Sequence, residues 1–162
     1  MTTDSPEATR KVAELIKGER FGFLTTTTPT GTLTSRPMTL QEVEFDGDLW
    51  FFAERGADWI EHIRVSPQVN VGVGSGGTWV SLTGSASVVD DVAKKKELWN
   101  SGAEAWLPQG PEDPSVVLVK VDGDTAEYWD SPGGRLATAF SFVRAKATGQ
   151  RIESGENVVV DL

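Results

Sequence analysis

Apolar residues first recur at helical spacing in residues 6–17, where Ala8, Val12, Leu15 and Ile16 fall on one face. Ser5 is the expected cap, Pro6 occupies the first turn and Gly18 ends the helix. Residues 21–28 then switch to aromatic and β-branched side chains and predict a strand. The triplet Pro29-Thr30-Gly31 turns the chain into a long second strand over 32–45, in which Pro37 marks an edge or a bulge. Asp46-Gly47-Asp48 is a hairpin signal, followed by a third strand over 49–53.

A short helix is expected over 57–65, with Trp59, Ile60 and Ile63 inward and Ser66-Pro67 as its stop. Val69, Val71 and Val73 alternate with Gln68, Asn70 and Gly72, the period of a half-buried strand. A glycine-rich hairpin over 74–77 leads to a strand over 78–89. Asp90-Asp91 caps a helix reaching Trp99, and a Pro/Gly-rich loop over 107–114 precedes strands at 116–121 and 125–129, joined by a turn at Asp122-Gly123-Asp124. A helix over 134–147 and a strand over 157–161 complete the expected elements. Antiparallel strands joined by hairpins, with helices at the corners, describe a mainly β single domain with peripheral helices, a six-stranded antiparallel barrel. It divides into an N-terminal helix (1–18), a barrel with inserted helices (19–130) and a C-terminal helix and strand (131–162).

Composition narrows the chemistry. The 162 residues contain no cysteine, which excludes disulfides, thiol catalysis and thiolate metal sites. Net charge is −9, from 24 acidic and 15 basic residues, so nucleic acid is not an expected partner. The run Lys94-Lys95-Lys96 reads as the solvated face of a helix. Mean hydropathy is −0.25 and no 18-residue apolar run occurs, so neither a membrane span nor a secretory leader is expected and the expected location is cytoplasmic. Six tryptophans and seven phenylalanines beside one tyrosine suggest aromatic cofactor or dimer surfaces as well as core filling.

The single histidine, His62, has no second histidine to join it in a metal site and is expected at the solvent side or groove rim of its helix. No G-x-S-x-G nucleophile elbow occurs. The glycines of residues 72–77 lie between antiparallel strands rather than at the opening of a helix, unlike a dinucleotide loop. Glu127 and Asp130 flank aromatic residues at a strand end without the marks of an acid–base pair.

Several pieces in order nevertheless form a pattern. They are Ser35-Arg36-Pro37-Met38, Leu49-Trp50-Phe51-Phe52, Ser66-Pro67-x-Val69-x-Val71, Val80-Ser81-Leu82-Thr83-Gly84, Lys94-Lys95-Lys96-Glu97-Leu98-Trp99, Trp106-x-Pro108-x-Gly110-x-x-Asp113-Pro114 and Ala126-Glu127-Tyr128-Trp129-Asp130. Spanning nearly the whole chain, they resemble the pyridoxamine 5′-phosphate oxidase-like, FMN-binding split-barrel proteins, and within them the general stress protein branch. The resemblance implies a homodimer holding FMN in grooves at the subunit interface. It assigns flavin contacts to Arg36, Pro37, Met38, Thr39 and Gln41 on the second strand, and the ribityl-phosphate to Phe52, Ala53, Asp58 and Trp59. Trp79 is placed at the ring edge, and neither a catalytic side chain nor a metal is implied.

Residues 57–59 depart from that family, whose members carry a serine and basic residues at this helix start. Asp58 adds a negative charge where a phosphate would sit, worth about 4 kcal/mol against binding for a unit-charge pair at ~4 Å and an effective dielectric of ~20. Arg36, Arg55 and Arg64 remain as phosphate partners, and Asp58 serves alternatively as the cap of its own helix. The implied activity is flavin-based hydride or electron transfer, with a reduced nicotinamide nucleotide as the donor. Non-catalytic flavin binding or sequestration, or use of FAD or a deazaflavin, stands as the alternative. Vitamin B6 oxidation is not expected, because Arg135, Arg144 and Arg151 fall in helix or turn segments rather than in a C-terminal phosphate grip.

Overall fold

The structure is a computed structural model and describes residues 6–130 and 156–162. The expected Ser5 cap and the helix over 134–147, with Arg135, Arg144 and Arg151, lie outside the described residues. Helix α1 (Pro6–Ile16) buries Ala8 and Val12 and ends at Gly18, whose φ of +83° is the left-handed conformation that favours glycine after a helix. Strands β1 (Phe21–Thr27), β2 (Leu33–Thr39) and β3 (Asp48–Glu54) precede helix α2 (Asp58–Val65). Strands β4 (Gln68–Ser75) and β5 (Thr78–Val89) form a hairpin across Gly76 and Gly77, both at positive φ, as a two-residue reversal requires. Helices α3 (Val92–Leu98) and α4 (Ser101–Trp106), the 15-residue strand β6 (Val116–Asp130) and β7 (Glu156–Asp161) follow.

All the strand pairs are antiparallel, in the order β2-β1-β4-β5-β6-β3, and β7 pairs with β6. This is the mainly β split-barrel architecture expected from the sequence. Strand β6 spans two environments. Its first half pairs with β3 and its second with β7, while β5 runs along its other side. Leu24, Phe51, Val71, Leu82, Val117, Val119, Val121 and Ala126 point inward and close around Val12, Ile60 and Ile63. Each contributes on the order of 1.5–3 kcal/mol for a fully buried side chain of valine size or larger.

Val116 to Val119 are all buried in succession, which alternation alone cannot produce. The outward pair, Val116 and Leu118, lies under α3, where the Lys95 ammonium reaches the Val116 carbonyl at 2.9 Å and Trp99 meets Phe52 edge to face. Among the described residues, the outward surface of β1, β4 and the second half of β6 has no such cover.

Three sequence expectations are corrected. Residues 116–130 form one strand, not two: Asp122-Gly123-Asp124 is a bulge where the β5 register shifts between Thr83 and Gly84. Gly123 N–H bonds to the Gly47 carbonyl, and the Asp122 carbonyl fills the space a side chain at position 84 would need. Strand β2 stops at Thr39, beyond which Val43 N–H turns back to the Gln41 carbonyl. Helix α4, not foreseen, starts where the Asn100 side chain accepts from Ala103 N–H at 3.0 Å.

Candidate functional site

Register decides which side chains share a face. Phe23 lies opposite Pro37 and Gly72, Phe21 opposite Thr39, and Gly74 opposite Trp79, which in turn faces Trp129. Phe21, Phe23, Trp79 and Trp129 thus stand on the uncovered outer face, with Phe23 58% and Trp79 55% exposed. They line a groove of about 830 Å³ whose floor is Gly72 and Gly74. A side chain at position 72 would meet open space, whereas one at 74 would overlap the Trp79 ring, so the indole lies across Gly74. Arg20 brings a cation to the groove, its guanidinium carbon 5.9 Å from the Phe21 ring centroid. At the far end Asp130 accepts from Lys11 and from the Thr78 hydroxyl, each at 3.1 Å.

A second constellation lies on the inner face, between β1, β2 and α2. Arg36 is opposite Leu24 and Thr34 is opposite Thr26. The Arg36 guanidinium donates to the Leu24 and Thr34 carbonyls at 3.2 Å and to the Thr34 hydroxyl at 2.8 Å. Its carbon lies 5.2 Å from the Trp59 ring centroid, a stacking worth about 0.5–2 kcal/mol. Burial lowers the Arg36 pKa from its usual value, yet a guanidinium remains charged. Fully buried Thr26 connects Thr34, at 3.4 Å, to His62 Nδ1, at 3.3 Å.

The ten expected cofactor residues are therefore dispersed. Pro37, Thr39 and Trp79 belong to the outer face, and Arg36, Met38 and Trp59 to the inner one. Gln41 is engaged at both ends of its amide, donating to the Thr39 carbonyl and accepting from Asn100, which caps α4. Phe52 packs on Trp99 under α3, and Ala53 is core. Asp58 is exposed in the first turn of α2, and the N-cap is Ala57, without a side-chain cap bond, so the capping role considered for Asp58 is not observed. Of the other candidate arginines, Arg55 pairs with Asp90 and donates to the Pro114 carbonyl at 2.8 Å, and Arg64 pairs with Glu61 at 3.4 Å.

Thr26, Thr34, Phe21, Phe23 and Arg20 were not singled out from the sequence. Their signal is the alternation of β1, which sends Leu24 and Thr26 one way and Phe21, Phe23 and Thr25 the other. Among the described residues no cluster of three or more His, Cys, Asp or Glu could hold a metal ion, and no helix is long and apolar enough to cross a membrane.

This arrangement has counterparts. The family described as pyridoxamine 5′-phosphate oxidase like matches residues 7–153, and the chain belongs to it. General stress protein 26 from Bacillus anthracis is 30% identical, with a TM-score of 0.66 over 74% of this chain and 92% of that one. The general stress FMN/FAD binding protein from Xanthomonas citri is 28% identical, with a TM-score of 0.66 over 77% of this chain and 89% of that one. The curated protein bli-3 of Neurospora crassa is 29% identical over 129 residues, 72% of this chain, and the match spans 62% of its length.

Proposed function

We propose that this protein is a homodimeric flavin-binding split barrel of the general stress type, with FMN as the flavin and FAD or a deazaflavin as the alternatives. The observation that carries the reading is the outer-face groove, where Phe21, Phe23, Trp79 and Trp129 surround a floor of glycine. Open backbone over Gly72 with aromatic walls suits a flat, apolar ring system. The description of the Xanthomonas protein as FMN/FAD binding supports the same ligand class.

The phosphate end fits less fully: Arg36 and Trp59 lie on the inner face, so a flavin whose ring sits in the outer groove would have to reach them around the edge strand β2. Within the described residues Arg36 commits three donor bonds, which leaves two of the five guanidinium N–H groups for a phosphate. The uncapped start of α2 supplies backbone N–H groups nearby in sequence to Trp59, against which Arg36 stacks. Exposed Asp58 opposes a phosphate there, while Arg55 and Arg64 are engaged by Asp90 and Glu61. Pro37 and Thr39 share the outer face with the groove, Met38 faces inward, Gln41 acts through its hydrogen bonds to Thr39 and Asn100, and Phe52 and Ala53 act through packing.

A bound flavin supplies hydride or electron transfer, with a reduced nicotinamide nucleotide as donor. The protein's part is to orient the ring between Trp79 and the phenylalanines and to exclude water from it. No side chain is assigned a proton-transfer role. The engagement of Arg55 and Arg64 favours a second reading, flavin storage without turnover.

The test is the visible spectrum of freshly purified protein, followed by titration with FMN, FAD and a deazaflavin. Flavin bands, or saturable quenching of tryptophan fluorescence, are expected. A colourless protein that takes up none of the three would overturn the reading. Anaerobic addition of reduced nicotinamide nucleotide separates the two forms: bleaching of the flavin marks the oxidoreductase, an unchanged spectrum the storage protein.

A further inference from the structure

The inner-face constellation has a direction. An arginine only donates, so the Thr34 hydroxyl oxygen accepts from Arg36 Nη2, and its single proton is free to point to Thr26. In that arrangement the Thr26 proton points to His62 Nδ1 as the unprotonated ring nitrogen; the reverse run, from a protonated Nδ1 through Thr26 to Thr34, belongs to the other tautomer. Thr26 is fully buried, so water does not substitute in the middle of this run.

We infer that His62 is a positioning residue: its neutral, Nε2–H form closes a one-way hydrogen-bond relay through Thr26 and Thr34 that fixes Arg36 against Trp59, and its protonation reverses that relay. The consequence for ligand binding rests on the reading above, in which Arg36 helps to hold the flavin phosphate. A protonated imidazole has two donors and no acceptor. Thr26 then accepts from Nδ1–H and turns its own proton toward the second lone pair of the Thr34 oxygen, which reverses the run. The Thr34 proton loses its acceptor in the relay, and a second positive charge appears close to Arg36. Among the described residues the surroundings offer little compensation. Strands β1 and β5, which pack on α2, contain no ionisable residue, and β2 contributes only Arg36. Helix α2 itself carries Asp58, Glu61 and Arg64, the last two paired with each other.

The sequence makes the test direct, because His62 is the only histidine. Tag-free protein labelled with ¹⁵N-histidine yields one pair of ring signals. At alkaline pH an unprotonated Nδ1 and a protonated Nε2 are expected. Thr26→Val should shift the ring toward a tautomer mixture, and Thr26→Ser, which keeps the hydroxyl, should restore the original signals. A protonated Nδ1 in the native protein, or unchanged signals in Thr26→Val, would overturn the relay. In parallel, FMN affinity measured over falling pH should drop by about tenfold as His62 protonates, and should not do so in His62→Gln. Equal pH dependence in the two proteins would overturn the coupling to Arg36. Absence of FMN binding at every pH would instead overturn the flavin reading and leave the relay to be decided by the ring signals.

Discussion

Gly74 and Trp79 form the most exacting residue pair in the groove. A Cβ at position 74 would overlap Cε3 of Trp79 and approach the Thr78 carbonyl oxygen to 2.9 Å. Trp79 is more than half exposed, so its ring would swing aside, and the approach to the Thr78 carbonyl would also shift the β4–β5 backbone. Gly74→Ala should therefore destabilise the fold by about 1–3 kcal/mol, the range for overpacking that shifts backbone. It should weaken FMN binding up to about tenfold, the worth of one aromatic pair. Denaturant unfolding and an FMN titration measure the two effects, and full FMN affinity in Gly74→Ala would remove the indole from the ligand site. The sequence makes Trp79 legible because an aromatic residue follows a glycine hairpin. Gln41 and Phe52 are less legible, because their roles depend on Asn100 and Trp99, partners 59 and 47 positions away in number. Thr26 and Thr34 look like ordinary β-branched strand filler until register pairs them with His62 and Arg36.

Strand β6 shows where pattern reading holds and where it fails. Its apolar content and the hairpin order of β4 and β5 were readable, since local alternation reports burial on a strand that has one wet face. The Asp122-Gly123-Asp124 signal was misread because a bulge and a hairpin use the same residues, and only the facing Gly84 distinguishes them. The helix over α3 was readable from Asp91, which accepts from Lys94 N–H at 3.1 Å, but the face it covers was not. Lys95, read as part of a solvated run, is instead buried and bound to Asp90 at 3.0 Å. The hydrogen bond from Lys95, and after it that from Arg55, holds the Asp90 pKa below its usual value of 3.8. A carboxyl whose folded pKa is depressed stabilises the fold above its unfolded pKa, and that contribution is lost as pH falls through the folded pKa. The gap in stability between native protein and Asp90→Asn should accordingly be full above about 3.8 and shrink on further acidification. Denaturant midpoints of both proteins across acidic pH check this, and a gap independent of pH would disconnect Asp90 from the anchoring of α3.

Phe21, Phe23, Leu33, Trp79, Trp129 and Val159 all project, at least 37% exposed, from strands that, among the described residues, lack the helical cover given to β3 and the first half of β6. Isolated apolar residues on a surface require no explanation, but six on one sheet face are the kind of patch that marks an interaction site. A second copy related by a twofold axis would bury the same patch on both protomers, and a stable interface of that type covers roughly 1,200–2,000 Å² in total. The chain carries −9, so two copies repel at long range, and the apolar face must supply the attraction. Two consequences can be measured by sedimentation. Added salt should tighten the dimer, because screening removes repulsion while leaving apolar burial intact. Phe23→Lys should yield monomers with little loss of fold stability, since position 23 is already 58% exposed in the single chain. FMN affinity should fall with the dimer, because Phe23 lines the groove that the partner would close. A Phe23→Lys protein that remains dimeric would place the interface elsewhere, and one that is monomeric yet binds FMN fully would show that a single protomer completes the site.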